Sequence, residues 1–269
     1  MTKNSVNPLL IFASFWSRRD ILAQMIKRDV LLRYRGAMFG VLWIFLSPLL
    51  MLAIFAFVFG HVFQARWAQE TAGVPFWLLL YAGLIAFNIF AETVSRAPTA
   101  VRGYPSYVKK IIFPVDILPI VPLGSALVHA GFNFFILIVA LAWTENLHPA
   151  IVLFPALLAP LILFSMGLAW FLAAWGVFIK DMTQIVPVFV QMLMFLSPVF
   201  YPVAAVPQKL QPIYLYNPLG AVIEGCRAVA IGNPVPWMAW GSALMLSVLV
   251  FMLGYAFFQH SREEFADVL

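Results

Sequence analysis

The sequence predicts an all-α integral membrane protein. It has six transmembrane helices, an N-terminal amphipathic interface helix, and outer re-entrant or interfacial helices between spans five and six. Three observations carry this. Of 269 residues, 64% are hydrophobic and 10% charged, whereas a water-facing globular domain needs about a quarter of its residues charged. Six stretches without Lys, Arg, Asp or Glu, at 36–65, 71–91, 117–144, 146–179, 182–208 and 228–261, can each hold an apolar helix. Spanning the hydrocarbon takes about 20 such residues, because lipid leaves each backbone donor and acceptor to be satisfied within the segment. Finally, the cations sit on one side. With the N-terminus inside, 13 of the 16 Lys and Arg residues are inside, and only Arg66, Lys209 and Arg227 fall outside. This is the positive-inside bias, and it places both termini in the cytoplasm.

The chain divides into a cytoplasmic N-terminus with the interface helix (1–35), a six-span domain (36–258) and a cytoplasmic tail (259–269). The first apolar patch, 8–16, is short for a span. It runs into Arg18, Arg19 and Asp20 rather than a small-residue cleavage site, so no cleaved signal peptide is predicted. Phe12, Phe15, Trp16, Leu22, Met25 and Ile26 recur at helical spacing, with Ser17, Gln24, Lys27 and Arg28 largely elsewhere around the helix. Such a helix lies at the cytoplasmic interface with its cations near anionic headgroups. The basic run Arg18, Arg19, Lys27, Arg28, Arg33 and Arg35 then feeds into span one, which Pro48 interrupts. A proline kink is tolerated in a membrane helix where neighbours satisfy the freed carbonyl.

A short outer loop with Arg66 and Glu70 leads to span two, where Asn88 and Glu92 fall one turn apart near the inner end. A carboxylate exposed to mid-bilayer lipid is costly, so Glu92 faces protein or reaches the interface. The inner loop 95–116 holds four cations and prolines at 98, 105 and 114. Two readings stand for it, a small helix that docks on a partner and a charged loop that only enforces topology. Spans three and four join through the outer turn at 144–149. Span four carries Ser165, Gly167, Ala169, Ala173, Ala174 and Gly176, small residues that permit close helix contact.

Span five and the residues after it are punctuated by prolines at 187, 198, 202, 207, 212, 218, 234 and 236. Each removes a donor and crowds the preceding turn, so no unbroken helix crosses 197–207. The apolar stretch 219–231 is interrupted by Glu224 and Arg227 and is short for a span. One or two re-entrant helices on the outer side fit this pattern. Broken backbone at membrane depth must be covered by protein or face a watery cavity, which makes the region a candidate pore lid.

Several chemistries lack their residues. No GxxxxGK[ST] loop occurs, HExxH and GxSxG are absent, and the four histidines are scattered. The chain is therefore read as a non-enzyme with no cofactor or metal of its own. Cys226 is the single cysteine, which excludes an intramolecular disulfide. The net charge of +5 belongs to membrane topology rather than to nucleic acid. Aromatic residues make up 16% of the chain, Trp43, Phe45, Phe55, Phe57, Phe59, Trp77, Tyr81, Phe87, Phe195, Phe200 and Tyr201 among them. Rings facing a conduit could slide along the apolar faces of sugars, and rings facing lipid or core would only pack.

Four blocks carry a resemblance to a known family. They are RDVLLRYRGAMFGVLWIFLSPLLMLAIFAFVFG at 28–60, VKKIIFPVDILPI at 108–120, the proline-rich stretch 178–232 beginning FIKDMTQIVPVF, and EEFADVL near the terminus. Together and in order, they resemble the membrane subunits of bacterial ABC-2 type exporters of O-antigen, capsule or teichoic acid. Ala37 and Asp116 are the small departures from the family pattern.

The resemblance implies a multi-pass protein of the bacterial inner membrane. It would form a homodimer and pair with two copies of a separate ABC ATPase, which binds ATP and Mg. The expected cargo is a lipid-linked polysaccharide, with O-antigen ahead of capsule or teichoic acid; an autonomous secondary transporter or channel is the alternative. By this likeness Arg33 and Arg35 meet the substrate pyrophosphate, since guanidinium forks suit phosphate oxygens, or else bind only headgroups. Lys109, Lys110, Ile111, Phe113 and Pro114 couple to the ATPase. Trp43, Phe45, Phe195, Ser197, Pro198, Phe200, Tyr201, Asn217, Glu224 and Arg227 belong to the channel or outer gate.

Overall fold

Charge-free length alone decides how far each helix runs only where nothing pairs the charges at its ends. A computed structural model describes residues 16–62, 73–108 and 113–268. Its principal helices are α1 (Arg19–Arg33), α2 (Trp43–Phe55), α3 (Phe76–Arg96), α4 (Ile120–Trp143), α5 (Ala159–Phe178), α6 (Met182–Leu196), α7 (Gln211–Tyr216), α8 (Pro218–Ile231) and α9 (Trp237–Ser261). Single-turn helices fill several connections.

Five helical stretches are long and apolar enough to cross a membrane: Gly40–Val62, Phe76–Thr99, Val115–Trp143, Pro149–Phe178 and Trp237–Glu264. The chain is thus an all-α, multi-pass membrane protein. The remaining apolar helix, α6, has 15 residues. At 1.5 Å per residue it reaches roughly 22 Å, against about 30 Å of hydrocarbon. Its limit is the SPVFYP sequence at 197–202, whose prolines end the helical bonding that runs to Ser197.

Span two is central. Of its most apolar window 72% is buried inside the protein, against 11% for the first span, Gly40–Val62. Leu78, Leu80, Ala82 and Ala86 of α3 are fully buried, and α3 packs against α4, α5, α6 and α8. The first span is peripheral instead, and Leu49, Leu50, Ile54 and Phe57 are exposed on it. Pro48 lies within α2, and the span finishes in π-helical turns over Ala56–Val62.

The α5–α9 pair makes the most extensive helix contact, and two glycines allow it. A Cβ on Gly254 would come within 2.0 Å of the Gly167 carbonyl oxygen. No side chain fits there, so the backbones touch. A similar approach seats the inner turn against α5, where a Cβ on Gly176 would lie 2.1 Å from the Pro98 carbonyl oxygen. The small residues of span four therefore serve two separate packing contacts.

α1 docks alongside α4. Arg18 meets Asp116, Asp29 meets Ser125 and Arg33 meets His129, a nearly constant offset in sequence that makes the two helices parallel. Leu22 and Met25 pack on the core, and Ile26 fills the space a side chain at Gly124 would occupy. The apolar spacing read from the sequence thus points into protein at these three positions. Trp16 is exposed, and Phe12 and Phe15 lie outside the described residues.

Candidate functional site

An ionic cluster forms where α1, α3 and α4 converge. Arg33 donates to Glu92 Oε1 at 2.5 Å, and Arg96 donates to the same oxygen at 3.3 Å. His129 Nδ1 lies 3.0 Å from Glu92 Oε2 and 3.1 Å from the Arg33 guanidinium. A nitrogen that donates to the carboxylate cannot also accept from Arg33, so Glu92 is the shared acceptor of both groups. Tyr34 Oη then stands 3.3 Å from the other ring nitrogen.

The cluster continues through Arg96 to a second carboxylate. Arg96 donates to Asp29 Oδ1 at 2.5 Å and Ser125 donates to Asp29 Oδ2 at 2.6 Å. Burial alone would raise the Asp29 carboxyl, but those two hydrogen bonds and the charges of Arg96 and Arg33 outweigh it and hold the group below its ordinary value. Farther along, Arg18 forks both oxygens of buried Asp116 at 3.1 Å.

Above the cluster opens a cavity of about 530 Å³ between the first span, α3, α4 and α6. Arg33, Tyr34, Asn88, Glu92, His129 and Asn133 line its polar part. Trp43, Pro48, Phe55, Tyr81, Met194 and Phe200 line the rest. A polar thread links them: Tyr81 donates to Asn133 at 2.7 Å, and Asn133 donates to the His129 carbonyl at 2.7 Å. Ser47 and Pro48 of α2 form part of the wall. Charge at one end and aromatic surface with spaced polar atoms beyond can orient an anionic headgroup and let a polar chain pass. Among the described residues no His, Cys, Asp and Glu cluster could hold a metal.

Beyond the cavity, Arg227 organises the proline-broken segment. Its side chain is 3% exposed. It donates to the carbonyls of Leu79 at 3.2 Å, Pro198 at 2.5 Å and Tyr201 at 3.4 Å, to that of Val199, and to Glu224 at 3.2 Å. Prolines 198 and 202 leave this backbone without helical partners, and buried carbonyls without partners are costly. One planar guanidinium collects them. Gly83 leaves the room, since a Cβ there would lie 3.1 Å from the Arg227 guanidinium. Asn217 caps α8 by accepting from Gly220 N at 2.7 Å, and Gly232 ends it in the left-handed conformation at φ 73°.

The ABC-2 type transporter family matches residues 22–231 of the chain, a region that holds the cavity, the ionic cluster and the Arg227 hub. The chain belongs to the ABC-2 type transporter family. Similar proteins extend over nearly its full length. An O-antigen export system permease protein RfbA of Myxococcus xanthus is 26% identical, covering 93% of this chain and 95% of that protein. Another RfbA, from Klebsiella pneumoniae, is 22% identical over the same shares. The polysialic acid transport protein KpsM of Escherichia coli is 25% identical over 88% of this chain and 91% of its own. The chain is accordingly the membrane permease component of an ABC-2 system, and ATP hydrolysis resides in a separate subunit.

The residues expected to act in this ABC-2 permease fall into distinct places. Arg33, Trp43 and Phe200 share the cavity, whereas Arg35 lies in a neighbouring groove with Lys27 and Arg28. Phe45 packs edge-on against Phe132 at 4.7 Å, and Phe195 stacks on Phe200 at 5.6 Å. Ser197 and Pro198 are buried, Tyr201 donates to the Phe195 carbonyl at 2.9 Å, and Glu224 accepts from Val203 N at 3.4 Å. Asn217, Glu224 and Arg227 thus hold the broken segment together and do not line the cavity. Phe113 and Pro114 are half-buried, with Phe113 against Tyr107 at 4.6 Å. Lys109, Lys110 and Ile111 lie outside the described residues.

Sequence reasoning did not assign Glu92, His129, Asn133, Tyr34 or the Asp29–Arg96 pair to a site. A signal was present: Asn88 and Glu92 on span two, and His129 and Asn133 on span three, are each one turn apart. Two polar pairs at helical spacing on consecutive spans mark facing surfaces.

Proposed function

We propose that the chain is the channel-forming, homodimeric subunit of an exporter that moves lipid-linked surface polysaccharide, most closely O-antigen, across the bacterial inner membrane. The observation that carries this reading is the cavity, charged where Arg33 meets Glu92 and aromatic beyond. The names of the RfbA and KpsM relatives support a surface polysaccharide as cargo. In this reading α6 with the residues that follow it completes a sixth span, α7 and α8 are the outer re-entrant elements, and both termini are cytoplasmic. The apolar faces left open on the first span and α6 meet a second copy, so that each cavity faces a path between protomers.

Two ATPase subunits carrying ATP and Mg act on the inner loop 95–116, where Lys109, Lys110, Ile111, Phe113 and Pro114 form the coupling region. Arg96, near the start of this loop, pairs with Asp29 of α1, and Asp116 at its end pairs with Arg18 at the N-cap of α1. A push on the loop therefore reaches Arg33 through two ion pairs. Arg33 released from Glu92 presents its fork to the pyrophosphate of the lipid carrier. Aromatic surface then passes the sugars while making few fixed bonds. Arg227 and Asn217 keep the outer broken segment rigid beside the path.

Co-expression with the neighbouring ABC ATPase, followed by purification in detergent, tests the reading. A two-plus-two complex that hydrolyses ATP supports it. A chain that binds no ATPase and conducts ions or small solutes alone contradicts it.

A further inference from the structure

The cations of α1 and its flanking residues divide into two sets. Arg18 pairs with Asp116, Arg19 with the neighbouring Asp20 at 3.9 Å, and Arg33 with Glu92. Lys27, Arg28 and Arg35 pair with no carboxylate among the described residues, and all three are exposed. They surround a groove of about 520 Å³ between α1 and the start of the first span, whose floor and sides include Leu31, Leu32 and Val41. Each of these apolar residues is 45–48% exposed. Gln24 adds an uncharged polar group at the rim.

We infer that this groove is a binding site for an anionic diacyl phospholipid of the adjoining leaflet, with its phosphate on Lys27, Arg28 and Arg35 and an acyl chain along Leu31, Leu32 and Val41. Charge complementarity selects the class. Three cations around the groove without a carboxylate partner among the described residues attract a headgroup that keeps a net negative charge, and a zwitterionic headgroup gains far less there. The apolar surface beside them selects a lipid over a free phosphate, since phosphate alone leaves that surface in contact with water.

The site also touches the cavity. Tyr34 lines both, as the wall between them, and its hydroxyl reaches His129. A lipid seated in the groove holds Tyr34 in place and braces the ionic cluster from outside. The inference does not depend on which polymer is exported or on whether Arg33 binds it.

Native mass spectrometry of the full chain in detergent, titrated with phosphatidylglycerol or phosphatidylcholine of matched acyl chains, reads the site directly. The triple variant K27Q/R28Q/R35Q should bind phosphatidylglycerol about a hundredfold more weakly at low ionic strength. A charge-matched triple, R102Q/K180Q/R262Q, should bind it as the unaltered chain does. Inorganic phosphate at equal concentration should not displace the lipid. Val41→Trp, which fills the chain seat and leaves every cation, should also lower retention and serves if the triple variant does not fold. Equal retention by the triple variant, equal loss in the charge-matched triple, unchanged retention by Val41→Trp, displacement by phosphate, or equal binding of phosphatidylcholine would each overturn the site.

Discussion

Arg96 holds the Asp29 carboxylate at 2.5 Å, and together with the Arg33–Glu92 pair this contact ties the inner end of span two to α1. Arg18 and Asp116 make the matching tie at the start of span three. The inner loop between Arg96 and Asp116 is thus fastened at both ends to one helix. Removing Arg96 leaves the part-buried Asp29 carboxylate with Ser125 as its remaining side-chain donor, at a cost of about 1–3 kcal/mol. Arg96→Gln should lower the melting temperature in detergent, and Asp29→Asn in the same chain should restore part of the loss. Strict additivity of the two substitutions in a thermal double-mutant cycle would show that the pair does not couple.

The same pair sets a pH dependence. The Asp29 carboxyl is held below its ordinary value of 3.8 in the folded chain. A depressed carboxylate contributes stability that is fully present above the unfolded value and is lost as pH falls through the folded one. α1 should therefore stay docked from pH 7 to about 5 and lose the Asp29 contribution only in stronger acid, below the unfolded value. Spin labels on α1 and α4 would report this distance. Asp29→Asn should remove that part of the acid response, and an identical titration in the variant would refute the assignment.

Arg227 should tolerate no shorter or neutral replacement. Arg227→Met removes the ionic partner of Glu224 and the side-chain donor to four backbone carbonyls, and breaking a buried ionic contact of this kind costs about 3–5 kcal/mol. Arg227→Lys keeps the charge and loses the planar fork, so it should rescue only in part. Proteolysis within 197–210 offers the readout. Cleavage as slow in Arg227→Met as in the parent chain would contradict the role.

The α5–α9 crossing makes a steric prediction. Gly254→Leu and Gly167→Val should abolish folded protein, because a Cβ at Gly254 already falls 2.0 Å from a backbone oxygen, and at Gly167 2.5 Å from the Val250 oxygen. Gly131→Ala and Gly241→Ala meet nothing within 4 Å and should be nearly neutral. Yield of monodisperse protein by size-exclusion chromatography separates the two groups.

The apolar spans were legible because their signal is local. The 36–65 interval contains the helical stretch Gly40–Val62, and the prolines at 198 and 202 mark where α6 stops. The inner end of span two was not legible in the same way. The charge-free interval ends at Ala91, yet the helix carries Glu92 and Arg96 within it, because Arg33 and Asp29 neutralise them from 59 and 67 positions away. No local rule shows such a pairing. Arg227 was read as an outer-gate residue from the family likeness, and its five contacts, to carbonyls on two separate segments and to a neighbouring carboxylate, depend on tertiary packing that no local pattern shows.

Transport through the cavity itself is the measurement to make. Vesicles holding the chain and its ATPase would be loaded outside with radiolabelled lipid-linked oligosaccharide, and lumenal label followed with and without ATP. The unaltered chain should accumulate label only with ATP, whereas Ser47→Trp and Asn133→Trp, which fill the cavity, should reduce accumulation at least tenfold while keeping the ATPase bound, a fold-change of about 1.4 kcal/mol. Undiminished accumulation with the cavity filled would contradict the path proposed between the first span, α3, α4 and α6.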